Sequence, residues 1–258
     1  MVQRFLELII PLLFAHLLAD FSFQSDQSIK NKRKTPMLIQ HGVVVGLLSY
    51  LALGRPAGWI IPVGAGVSHI LLDAWKLQTM RGTRLWRFLI DQGGHLLILV
   101  LVSWAAAYAP GGEVGVWELI FGAGYLIGLT VLSGAIITVY VGSFVVELSF
   151  EALGFDIKDH SSLTEEDQVQ DPPASGLPGG GRVIGYLERG LILTFILGGY
   201  PAGIGFLVAA KSIFRFGELT DSSRRAQAEY IIIGTLLSIL YGTAASYLTA
   251  AAIQLALP

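Results

Sequence analysis

Cysteine is absent from the 258 residues. Disulfides and thiolate ligands are therefore excluded, any metal must be held through nitrogen and oxygen, and the redox compartment is left undetermined. Charge is also scarce. Asp, Glu, Lys and Arg make up 14% of the chain against 53% hydrophobic residues, at a mean hydropathy of +0.63. That balance belongs to a polytopic membrane protein rather than a soluble globule. The net charge of -2 favours no charged partner, and there is no basic surface to point to nucleic acid. No serine-based triad is visible, and no internal repeat. Gly179 to Gly181 lack the strand and helix that a phosphate-binding glycine loop needs, and the other glycines read as packing or turn residues.

What the chain does have is long apolar runs. Those of bilayer-crossing length, on the order of 17 to 25 residues, lie near 3–24, 37–53, 59–76, 88–109 and 117–149, the last long enough to project beyond a membrane. The first could pass for a signal-peptide core, but cleavage would discard His16 and Asp20, so it is read as retained. Next comes an acidic stretch, then one rich in Pro, Gly and Ser, which reads as a flexible loop. Past Arg182 the sequence GGYP is a strong turn signal, with Pro201 suited to a first helical turn. A final run, rich in small residues, spans Ala228 to Leu255. The expectation is an all-α polytopic transmembrane helical bundle of about eight membrane segments, two of them a short hairpin. Its parts are a bundle over 1–150, a loop over 151–182 and a C-terminal group over 183–258.

Basic residues favour cytoplasmic loops. They cluster at Lys30, Lys32, Arg33 and Lys34, at Lys76, Arg81, Arg84 and Arg87, and at Lys211, Arg215, Arg224 and Arg225, while the opposite loops carry little beyond Arg55. With a hairpin tip at GGYP, all three clusters and the long loop fall on one side. The predicted location is a bacterial cytoplasmic membrane with both termini outside and the loop cytoplasmic.

Three of these apolar runs carry a histidine and an aspartate four residues apart: His16 with Asp20, His69 with Asp73, and Asp91 with His95. Positions i and i+4 share one helical face. His41 opens the second run. At 1.5 Å rise per residue, nearly all seven lie within roughly 12 Å of the basic ends of their helices, His16 being the deepest. Any one pair could be a packing hydrogen bond between helices, but three pairs and His41 at one level read as a single site, because ionisable groups within a bilayer mark function by default.

Histidine nitrogen with carboxylate oxygen suits Zn, Mn or Fe. Four His and three Asp exceed the four ligands of one closed zinc site. Two divalent ions bridged by a carboxylate fit better, with some of the seven orienting a ligand instead. Gln24 and Gln92 could hydrogen-bond a substrate or bound water, or be ordinary helix-end glutamines. Lys30, Lys76, Arg84 and Arg87 could draw an anionic headgroup, or merely mark the positive side. In the second half Glu188, Arg189, Lys211, Arg215, Glu218 and Glu229 read as bracing charges.

The motifs HLLADFSFQ, SHILLDAWK and DQGGHLL, in this order with His41 between the first two, resemble the bacterial membrane family catalogued as domain of unknown function 3307. ERGLIL, AAKSIFRFGEL and AEYIIIGTLLS are similar to the C-terminal part of its longer members. The His-x-x-x-Asp pairs on successive helices also resemble a family of membrane-bound metal-dependent hydrolases and the helical zinc phospholipases C. That likeness implies phosphoester hydrolysis.

The functional expectation is a membrane-embedded metal-dependent hydrolase, acting at the cytoplasmic face on a phosphoester of a lipid or lipid-linked molecule. Metal would make hydroxide the nucleophile and stabilise the charged transition state. A divalent-metal or proton-coupled transporter is the rival, since carriers also need intramembrane Asp and His, though their sites usually lie at the midplane between repeated halves. A third alternative is a non-enzymatic membrane interaction module whose long loop recruits a cytosolic partner. Substrate, metal identity and oligomeric state lie beyond the sequence.

Overall fold

A computed structural model describes residues 1–22, 35–79, 81–109, 114–154, 179–219 and 225–257, and no strand occurs among them. The helices are α1 (Val2–Phe21), α2 (Thr35–Leu53), α3 (Ile60–Thr79), α4 (Arg84–Tyr108), α5 (Val116–Phe121) and α6 (Ala123–Ala135). They continue with a π-helical segment (Ile136–Val141), α7 (Gly142–Ala152), α8 (Gly180–Leu197), α9 (Ala202–Leu219) and α10 (Arg225–Ala256). Six stretches are long and apolar enough to cross a membrane: α1, α2 from Pro36, α3, α4, the continuous run Ala123–Ala152, and α10 from Glu229.

Side-chain distribution agrees with this length argument. Leu47, Leu51, Val67, Leu71, Leu97 and Leu101 are exposed on α2, α3 and α4, whereas His16, His69, Asp73, Asp91 and His95 are buried. Apolar outside and polar inside is the arrangement for a chain surrounded by lipid, where a buried ionisable group must find partners within the protein. The chain is an integral membrane protein.

One expectation is adjusted. The run 117–149 is not one helix, because Gly122 adopts φ 58° and ψ -144°, a conformation open essentially to glycine. It separates α5 from the span that starts at Ala123. The expectation of about eight segments, two of them a short hairpin, agrees with six long apolar helices plus the pair α8 and α9, whose shorter apolar stretch is Ala202–Ile213. These two are joined by a turn at GGYP, as the motif predicts: the Tyr200 amide donates to Phe195 O (2.7 Å) and the Gly203 amide to Tyr200 O (3.1 Å).

The chain divides into two compact units, Met1–Ile136 with Ala251–Pro258, and Ile137–Ala250. In the first unit α1 packs on α2, α2 on α3, α3 on α4, and α4 back on α1. The result is a closed ring of four helices, with α6 also packed on α1. Leu8, Leu12, Leu53, Ala65, Leu99 and Leu126 form much of its apolar core. The α4 start is set by Thr83, whose hydroxyl oxygen accepts from the Trp86 amide at 3.4 Å. That is a conventional N-cap, satisfying one of the free amides of a first turn.

The end opposite the histidines is tied by charge. Arg55 is buried and reaches Glu7 (3.4 Å) on α1 and Glu118 (3.3 Å) on α5. Burial pushes the Glu118 carboxyl up, opposed by the Arg55 guanidinium. The Trp117 indole N–H donates to Leu51 O at 2.7 Å and the Val116 amide to Gly54 O at 2.8 Å, anchoring α5 on the end of α2. Removing one member of a buried ion pair leaves the others uncompensated. Arg55→Ala is therefore expected to destabilise the protein by about 3 kcal/mol, the low end of that class because Glu7 is partly exposed. Thermal unfolding in detergent measures it, and an unchanged midpoint would contradict the bracing role.

Candidate metal centre

The site begins with how closely α2 and α3 approach. A methyl built on Gly66 would lie 2.7 Å from Gly42 O, and one on Gly46 would lie 3.2 Å from Pro62 O. Only hydrogen at these positions lets the two backbones touch, as small residues do between membrane helices. His41 and His69 each adjoin a residue of this crossing, Gly42 and Ile70. The close approach brings their rings together, with centroids 4.8 Å apart.

Asp20, at the end of α1, completes a triangle with them. His41 Nε2 lies 3.0 Å from Asp20 Oδ1, His69 Nε2 lies 3.3 Å from the same oxygen, and the two Nε2 atoms are 3.0 Å apart. Three potential ligand atoms from three helices thus face one point. Zinc bonds of about 2.0 to 2.1 Å in tetrahedral geometry put neighbouring ligand atoms roughly 3.3 Å apart. The observed spacings fit that edge. A set of two imidazoles and one carboxylate, with a fourth position left for water, is a known catalytic zinc arrangement.

The rest of the cluster wraps this triangle. His69 stacks on His95, with centroids 3.9 Å apart and planes inclined by 16°. His95 Nε2 lies 3.6 Å from Asp91 Oδ1 and 3.8 Å from Asp73 Oδ1. This nitrogen is buried between the two carboxylates, at distances just beyond a hydrogen bond. His16, His69 and His95 form one group in which the ligand atoms fall within 4.8 Å of one another, and Asp73, Asp91 and His95 form another.

Gln92 ties α4 to α1. It accepts from His16 Nε2 (3.2 Å) and donates to Asp20 Oδ2 (3.2 Å) and Asp91 Oδ2 (3.4 Å). With its Nε2–H given to Gln92, His16 acts as a donor that orients the amide, and the amide in turn fixes Asp20. The Lys76 ammonium pairs directly with Asp91 Oδ2, so its described role is to neutralise a buried carboxylate. Arg84 and Arg87 are exposed in the first turn of α4. Gln24 and Lys30 lie outside the described residues, as do most of the long loop, the cluster Lys32 to Lys34, Arg224, and the side chains of Arg215, Glu218 and Arg225.

All seven histidines and aspartates singled out from the sequence thus meet in one cluster. Charge suggests its capacity. Three carboxylates and one ammonium, with imidazoles neutral as ligation requires, sum to -2, which one divalent ion cancels. The cavity beside His16, His69 and His95 is about 10 Å³, room on the order of one water.

An all-helical integral membrane protein with a buried His/Asp centre in a four-helix ring is the class that fold and site define. Residues 8–110 match the model of the family described as Protein of unknown function (DUF3307). The match takes in all seven residues of the cluster. No curated protein and no solved structure matches the chain.

The contact between α2 and α3 can be tested without touching a ligand. Gly66→Ala would press a methyl against backbone, and overpacking of this kind costs about 1 to 3 kcal/mol. Gly64, on the same helix, has nothing within 4 Å of an added Cβ. Gly64→Ala is expected to leave the thermal midpoint in detergent unchanged or slightly higher, and Gly66→Ala to lower it. Equal midpoints would mean that the close crossing carries no load.

Proposed function

We propose that this protein is a membrane-embedded metal-dependent hydrolase, using one divalent ion held by Asp20, His41 and His69 to cleave a phosphoester of a lipid or lipid-linked substrate at the cytoplasmic face. The observation that carries the reading is the triangle of Asp20 Oδ1, His41 Nε2 and His69 Nε2, with edges of 3.0, 3.0 and 3.3 Å. Zinc is the first candidate, and Mn or Fe would accept the same donors. Such an ion, when bound, supplies Lewis acidity: it brings the ionisation of water toward neutrality and stabilises charge on a phosphoryl oxygen.

The surrounding residues have definable tasks. Gln92 holds Asp20 and His16 in register, and Lys76 offsets the charge of Asp91. Asp73, Asp91 and His95 offer a second set of donors that can take the proton released when a nucleophile ionises. The net charge of -2 favours one ion over the pair that ligand number alone implies. Orientation supports a cytoplasmic site. The cluster lies toward the ends of α1 and α3 and the beginnings of α2 and α4, next to the segments where basic residues concentrate. The termini come out on the outer side whether α8 and α9 both cross the membrane or neither does.

One observation favours the second reading, a carrier of divalent ions or protons. The cavity at the histidines, about 10 Å³, admits an ion or water but not a phosphoester. Metal analysis of purified protein, followed by two functional assays, separates the readings. About one divalent ion per chain is expected in the wild type, with loss of that ion in His41→Ala and Asp20→Asn and weaker retention of it in Asp73→Ala or His95→Ala, where the three ligands remain, while membrane insertion persists. Hydrolysis of a generic phosphodiester by the loaded protein, lost in the same variants, supports the enzyme. Ion flux in proteoliposomes without hydrolysis would replace it with the carrier, and metal-free protein would remove the enzyme and the divalent-ion carrier alike.

A further inference from the structure

The second unit contains a cavity of its own with both polar and apolar walls, about 410 Å³ in volume. Its size falls in the range of small-molecule sites, about 300 to 1,000 Å³. At its wall is Arg189, nine residues into α8 and 2% exposed. A buried guanidinium in a membrane protein requires an anion or a full set of acceptors. Among the described residues, Arg189 Nε (3.3 Å) and Nη2 (3.0 Å) both donate to Val139 O, and Nη1 donates to Ser238 Oγ (2.9 Å). Guanidinium has five N–H donors, so one on each terminal nitrogen is left for something else. The neighbouring carboxylate is already engaged, because Glu188 pairs with Lys211 at 2.7 and 2.9 Å.

The backbone around Arg189 is unusual in the same place. Val139 belongs to the π-helical segment, and the carbonyl of Ile137 in that segment accepts from the Tyr241 hydroxyl at 3.0 Å. Single π turns within α-helices are frequent at functional sites. Here the segment turns a carbonyl toward Arg189 and fixes its guanidinium. Space is kept open beside the fixed group, since a methyl on Gly185 would lie 3.2 Å from Nη1. Arg182, two turns before Arg189 and so on the same helical face, also lines the cavity, together with Glu147. The Glu188–Lys211 pair is neutral, and two guanidiniums outweigh Glu147 by one charge. Val146 and Phe150 line the same cavity, so cationic and apolar walls meet in one space.

We propose that this cavity binds a phosphoryl group carried by a membrane lipid, with Arg189 as the buried anchor, Arg182 as a second cationic contact, and the apolar wall against the start of an acyl chain. Guanidinium is the side chain best matched to phosphate oxygens. Free phosphate would satisfy the same cations but leave the apolar wall unused. The site does not depend on the metal centre.

Native mass spectrometry of the full chain released from detergent micelles tests this, using phosphatidylglycerol, diacylglycerol of the same acyl chains, and inorganic phosphate as probes. Phosphatidylglycerol is expected to be retained and diacylglycerol not. Loss of one charge-assisted contact should weaken retention about tenfold in Arg189→Gln and several-fold in Arg182→Gln. Ser143→Leu, which narrows the cavity without removing a charge, should weaken it as well and guards against misfolding of the Arg189 variant. The Gly64→Ala protein, altered only in the other unit and at a position with nothing within 4 Å of the added methyl, should retain lipid as the wild type does. Equal retention of the lipid with and without its headgroup, or wild-type retention in both Arg182→Gln and Ser143→Leu, would overturn the proposal. Variant-sensitive binding of inorganic phosphate with no lipid retained would overturn the lipid as its carrier.

Discussion

The first unit depends on gathering three carboxylates inside a membrane protein. Asp73 and Asp91 are buried, and Asp20 is nearly so. Each would be prohibitively costly alone in an apolar surrounding, where burial of a single unpaired charge outweighs many apolar contacts. The ring of α1 to α4 meets this by closing around the polar cluster, so that four imidazoles, an amide and one ammonium surround the acids. The apolar residues of the same helices then face outward, where lipid and not water is the surrounding medium. Packing and chemistry are thus the same constraint, since the helices can approach only where small residues allow and the acids can be tolerated only where the helices approach.

This explains why glycine matters so near the histidines. Gly42, Gly46 and Gly66 contribute no ligand, yet they set the separation across which His41 and His69 face each other. Gln92 plays a comparable part across α1 and α4. Its carbonyl and amino groups satisfy His16 on one side and two carboxylates on the other, a geometry that leaves neither amide end idle. At the opposite end Arg55 ties α1 and α5 by two carboxylates, so the ring is held by charge at both ends and by apolar contact between.

The cluster was legible in the sequence because its signal is local. Histidine and aspartate four residues apart must share a helical face, and their distance from basic residues sets their depth. The hairpin at GGYP was legible for the same reason, since turn residues act on the chain nearest them. What could not be read is what depends on partners distant in sequence. Lys76 looked like one more positive-side residue, yet it pairs with Asp91 from the neighbouring helix. Gln92 looked like a helix-end glutamine or a substrate contact, and its three bonds arise only from the packing of α4 on α1. Arg189 looked like one of several bracing charges. Its role as a buried cation at a cavity depends on a π-helical segment fifty residues earlier, and no short-range pattern announces such a segment. The break at Gly122 was equally hidden, because an apolar run with several glycines gives no sign of which one turns the chain.

The most direct measurement for the central claim is anomalous diffraction at the metal absorption edge, from crystals of protein purified without chelator. The account predicts one strong peak about 2 to 2.2 Å from Asp20 Oδ1, His41 Nε2 and His69 Nε2. A density map with no such peak, or with those three side chains directed to separate neighbours and too far apart to share an ion, would contradict it.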